Sequence, residues 1–106
     1  MKTTRFLGDG DKTFALNDDA IIELERLTGT GIGALYLRVV RLEFRLNDLV
    51  ETIRLALIGG GLSPADAYQI TQTYVRNRPI SESYPLAVDI FEARWGGDQN
   101  PAHKDQ

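Results

Sequence analysis

The stretch Leu57-Ile58-Gly59-Gly60-Gly61-Leu62-Ser63-Pro64-Ala65-Asp66-Ala67 stops one helix and starts another with little slack. Glycines past a helix end can take the left-handed conformation that closes the last turn. Ser63 then offers its hydroxyl to orphan backbone N–H groups as an N-cap. Pro64 falls at the first helical position, where its fixed φ fits and its missing N–H costs nothing. Asp66, three residues after the cap, faces the positive end of the new helix. The segment carries no chemistry. It builds a helix corner, and the corner fixes a helix on each side of it.

Upstream, Asn47 can cap a helix over 48–58 whose inner face is Leu49, Val50, Ile53 and Leu57. Leu55 and Ile58 lie off that face, which marks this as the central helix of the domain. Downstream, a helix over 64–76 has the stripe Ala67, Ile70, Thr71 and Tyr74, and Asn77-Arg78-Pro79 breaks it. A last helix over 81–95 aligns Tyr84, Ala87, Val88, Phe91 and Trp95 at spacings of three and four, with Ile90 widening the face. Pro85 sits in its first turn, where proline does least harm. Gly96-Gly97 ends it. Residues 98–106 have almost no apolar content and read as a disordered tail beyond a single domain spanning 1–97.

In the N-terminal half, Gly8-Asp9-Gly10-Asp11 lies between two short β-prone runs, a hairpin signal. Phe6 and Phe14 are the expected inward aromatics. Asn17 or Asp18 can cap the next helix, with Ile21, Leu24 and Leu27 on its apolar side beside Ala20 and Thr28, and Gly29 ends it. A further helix over 30–40, capped by Thr30, carries Ile32, Leu35, Tyr36, Leu37, Val39 and Val40. That is too many apolar residues for one narrow stripe, so the helix is either deeply buried or keeps a second face for a partner. Leu42, Phe44 and Leu46 alternate with Glu43 and Arg45, which suggests a third short strand, with continuation of the helix as the competing reading. The fold class is therefore α+β and mainly helical. It has four to five helices, an N-terminal β-hairpin and a third short strand.

A chain of 106 residues can bury roughly 60–70% of its unfolded surface, enough for one modest core. The net charge of −3 argues against a dedicated nucleic-acid binder. The absence of cysteine removes disulfides, zinc ribbons and thiol nucleophiles. Residues 1–12 are polar and show no secretory signal. No apolar run approaches the roughly 20 residues of a membrane helix, so no membrane partner is expected. Gly29-Thr30-Gly31-Ile32-Gly33-Ala34 matches a dinucleotide fingerprint by letter, but a helix precedes it where that motif needs a strand. Asp9-Gly10-Asp11 lacks the Gly and Glu that a calcium loop requires further on. The single histidine, His103, falls in the tail, so a rigid catalytic triad has no base. No enzymatic activity, catalytic residue, cofactor or metal is expected.

Arg38, Arg41 and Arg45 would form a basic ridge if one helix ran through them. Such a ridge binds phosphate backbones or docks an acidic protein surface, and the acidic total favours the second. The expected partner-binding residues are Leu35, Tyr36, Val39 and Val40, flanked by Arg38 and Arg41. On this reading a charge placed at Val39 or Tyr36 weakens partner binding and leaves the domain folded.

Four segments together resemble a family of small tail proteins found in gene transfer agents and siphophage-like prophages. They are the glycine corner, the helix of 48–57 before it, Leu24-Glu25-Arg26-Leu27-Thr28-Gly29-Thr30-Gly31-Ile32-Gly33-Ala34, and the ending that runs from Arg78-Pro79-Ile80 through Pro85-Leu86-Ala87 to Gly96. The resemblance covers residues 5–97. The family is labelled either tail tube protein or tail assembly chaperone. It implies a product of a tail-morphogenesis gene cluster. A chaperone of this kind binds the tape-measure protein, helps recruit tube subunits in the bacterial cytoplasm, and generally does not stay in the particle. A tube subunit instead stacks into homo-oligomeric rings of the virion tail. Few strands are readable here, too few to close a barrel without large contributions from neighbours, which favours the chaperone. A self-assembling tube component is the alternative, and a small helical nucleic-acid binder the second alternative.

Overall fold

The computed structural model describes residues 1–97. The tail expected at 98–106 lies outside them. Two strands, β1 (Lys2–Leu7) and β2 (Gly10–Ala15), precede five helices: α1 (Asp18–Thr28), α2 (Ile32–Val40), α3 (Leu46–Gly59), α4 (Pro64–Tyr74) and α5 (Ile80–Gly96). The fold is α+β and mainly helical, with an N-terminal antiparallel hairpin.

α3 is the centre of the molecule. Leu49, Val50, Ile53, Leu55, Ala56 and Leu57 are all buried, so the helix is apolar most of the way round. α1, β2, α4 and α5 pack around it. A helix buried on several sides needs apolar residues off the primary stripe, which is the signal Leu55 carries. It begins two residues before the expected start. Asn47 lies inside it, and the N-cap position belongs to Arg45. The Oδ2 of Asp48 reaches back to accept the Arg45 backbone N–H at 2.7 Å. The carboxylate three residues into the helix does the capping that Asn47 was expected to do.

At the glycine corner Ser63 caps α4, its Oγ accepting the Asp66 N–H at 3.1 Å, and Pro64 is the first helical residue. Gly61 alone takes a positive φ, of 119°. The other two glycines serve a close approach. A Cβ on Gly59 would stand 1.9 Å from the carbonyl oxygen of Ala15, and one on Gly60 2.1 Å from that of Thr13. The last turn of α3 thus lies directly on the β2 backbone. The triple glycine is a seat for the hairpin as much as a helix stop.

The hairpin turns through Gly8-Asp9, with Gly8 at φ 70°. Positive φ at the first loop residue only is the pattern of a type II′ turn. Across this two-residue loop, facing residues have one odd and one even number. Phe6 therefore pairs with Asp11 and Phe14 with Thr3. The two phenylalanines point to opposite faces, which corrects the expectation that both are inward. Phe14 is fully buried and Phe6 is 67% exposed. We expect Phe14→Ala to cost about 3–5 kcal/mol. Phe6→Ser should stay within about 0.5 kcal/mol of the parent. Denaturant midpoints of the two variants measure the contrast.

Two further expectations need correcting. Residues 42–46 form no strand: the chain turns after α2 and enters α3 at Leu46. The alternation there reflects a connecting segment with Phe44 packed on the core and its neighbours in solvent. In α5 the buried residues are Leu86, Ala87, Ile90 and Phe91 with Ser83. Trp95, expected on the inner face, is 64% exposed. Asn17 caps α1 as expected, its Oδ1 accepting the Ala20 N–H at 2.9 Å, and Gly29 closes it at φ 67°. Leu27 is exposed, and the buried side of α1 is Ala20, Leu24 and Thr28.

Candidate partner-binding surface

α2 is a short helix held at both ends by unusual means. Gly31 occupies its N-cap and has no side chain to offer. The Ile32 N–H is satisfied instead by Glu25 of α1, whose Oε2 accepts it at 2.9 Å. At the other end Arg41 is the C-cap. The Leu42 N–H bonds to the Val39 carbonyl at 3.1 Å and the Glu43 N–H to the Arg38 carbonyl at 2.8 Å. Those two bonds define a Schellman motif, whose left-handed residue is usually glycine. Here that residue is Leu42, at φ 62°. A Cβ in the left-handed region crowds the backbone, so the turn is strained.

The six expected surface residues divide. Leu35 and Val39 are fully buried and belong to the core, so as they stand no partner reaches them. Tyr36 is half-buried, its ring 5.4 Å from that of Phe91 and 5.1 Å from that of Trp95. Burial first, and the negative charge of Glu92 second, hold its phenol above the usual tyrosine range. Arg38 folds inward. It donates to Thr30 Oγ1 at 3.0 Å, and its Nε lies 3.2 Å from the buried Asp48 carboxylate. Val40 and Arg41 are exposed. The ridge of three arginines does not form, because Arg38 and Arg41 end α2 while Arg45 opens α3.

The face that α2 leaves in solvent is the opposite one. Gly33, Ala34, Leu37 and Val40 are all exposed and recur at helical spacing. Leu42 continues the apolar surface past the helix end and is 68% exposed. On the α5 side, Trp95 lies against Tyr36. Leu37, Leu42 and Trp95 were not among the six expected surface residues. Leu37 had a signal: a helix whose inner face is filled by Leu35 and Val39 must turn Leu37 outward. For Leu42 the signal was weaker, since nothing in the letters marks a leucine that replaces a C-terminal glycine.

The charges beside this face are uneven. Arg5, Arg26, Arg38, Arg54, Arg78 and Arg94 each lie against a carboxylate. Arg76 donates to the side-chain oxygens of Gln72 and Asn47. Arg41 and Arg45, on either side of the 42–44 turn, make no side-chain hydrogen bond or ion pair among the described residues. No group of three or more His, Cys, Asp or Glu among the described residues could hold a metal ion. His103 lies outside them. What the arrangement offers chemically is apolar area with a basic rim.

Residues 2–97 match the model of a family described as phage tail tube protein, GTA-gp10. No curated protein and no solved structure matches the chain. The chain belongs to this family of phage tail proteins.

Proposed function

We propose that this tail protein is a non-enzymatic assembly chaperone, which covers an apolar helix of the tape-measure or tube protein until the tail is built. The observation that supports this most is the outer face of α2, where Gly33, Ala34, Leu37 and Val40 stand in solvent on a helix whose other side fills the core. Gly33 and Ala34 keep that face low enough for a second helix to lie close, the helix-in-groove mode of recognition. A contiguous exposed apolar face on a small domain marks an interaction site more often than chance.

The family's own description names the tail tube, so a structural subunit is the second reading. Two strands among the described residues cannot close a tube barrel unless neighbouring copies supply the rest. Nucleic-acid binding loses its main support with the ridge broken. No helix of the described residues is long and apolar enough to cross a membrane.

Substitution separates the surface from the core. Leu37→Glu and Val40→Glu should weaken capture of a co-expressed tape-measure or tube protein at least tenfold, with circular dichroism and melting unchanged. Val39→Glu should unfold the domain, because an unpaired carboxylate in the core is not tolerated. Normal capture by both surface variants would remove the chaperone reading from this face. Rings or tubes formed by the chain alone would favour the structural one.

A further inference from the structure

Leu42 combines two features that a monomer gains nothing from. It is 68% exposed, and it holds the left-handed position of the Schellman motif that glycine would fill without strain. A bulky residue kept in a strained conformation, with its side chain in water, marks a place where a partner supplies what the fold does not. Arg41 precedes it and Arg45 follows three residues on, both exposed and without a side-chain partner among the described residues. Glu43 lies between them and pairs with neither.

We propose that Leu42 is the anchor of the α2 surface, and that Arg41 and Arg45 select its occupant: an amphipathic helix with acidic residues flanking an apolar stripe. This rests on the chaperone reading and adds the chemistry of the partner to it. The apolar stripe of such a helix lies on Gly33, Leu37 and Val40, with Leu42 just past the end of α2. The acidic flank meets the two guanidiniums, which bind carboxylates in a forked geometry. Charge at the rim speeds encounter and rejects basic helices, while the leucine supplies the buried contact.

The test uses the full chain co-expressed with the tape-measure and tube proteins of its own gene cluster, with affinity measured on whichever is captured. Leu42→Gly should raise the melting midpoint by about 2–5 °C, as a strained turn is relaxed. It should also weaken capture about tenfold or more. Leu42→Ala keeps the strained backbone and loses the side chain, so capture should fall as far without the gain in melting. Arg41→Glu with Arg45→Glu should weaken capture and flatten its salt dependence. Capture by the parent that neither the Leu42 variants nor the double charge variant reduces would overturn this inference and leave the chaperone reading standing. A parent chain that captures neither tail protein removes both. A dimer of the chain alone that Leu42→Gly dissolves would seat a second copy on the surface and overturn the acidic-helix occupant.

Discussion

Gly59→Ala should destabilise the domain by about 2–3 kcal/mol, even though alanine is the better helix former by about 1 kcal/mol. The added methyl would stand 1.9 Å from the Ala15 carbonyl oxygen, and a strand backbone, unlike a flexible side chain, cannot swing aside. Gly60→Ala meets the Thr13 carbonyl at 2.1 Å and should behave the same way. Against a total stability of about 5–15 kcal/mol this is a large share, and the melting midpoint should fall by roughly 10 °C or more. Gly33→Ala is the control. It is helical, exposed and free of neighbours within 4 Å, so it should stabilise by about 0.5–1 kcal/mol. Thermal unfolding followed by circular dichroism reads all three. If Gly59→Ala melts with the parent, the hairpin does not rest on α3.

Asp48→Ala should cost about 2–4 kcal/mol. The carboxylate is 2% exposed, accepts the Arg45 N–H at the start of α3, and faces the Arg38 guanidinium that reaches in from α2. Removing it leaves an orphan helix N-terminus and a partly buried cation with Thr30 as its remaining hydrogen-bond partner. Because Arg38 is partly open to water, the loss should fall short of that for a fully buried pair. Replacing both partners by apolar residues of similar size, Arg38→Met with Asp48→Leu, should recover part of the loss in urea melts. A double variant as weak as Asp48→Ala would show that the cap, not the ion pair, carries the energy.

What the letters revealed follows from how local each device is. The Ser63-Pro64 start of α4, the Asn17 cap of α1 and its Gly29 stop are read within three or four residues, and all are found. The family also declared itself in short segments. Long-range geometry did not show. Nothing near Gly59 says that a strand backbone will lie across it. The facing of Phe6 depends on a loop with an even rather than an odd number of residues, here two. The residues 42–46 alternate like a strand, yet they connect α2 to α3, and the β2 edge of the two-stranded hairpin is already covered by α3. The α2 surface was half legible. Six apolar residues in an eleven-residue stretch meant a helix either deeply buried or with a second face left over, and which of these holds, and which face, depends on the packing of Leu35 and Val39 against the rest of the fold. The leftover face is therefore Leu37 and Val40 rather than Val39.

On the proposed function, the outer face of α2 holds another tail protein during assembly. The most direct measurement is site-specific photo-crosslinking from position 37 in cells expressing the whole tail gene cluster, with position 68 on exposed Tyr68 of α4 as the reference. A crosslink from position 37 to the tape-measure or tube protein, absent from position 68, is the predicted result. Crosslinks from position 37 only to further copies of this chain, or to nothing while position 68 captures a tail protein, would contradict it.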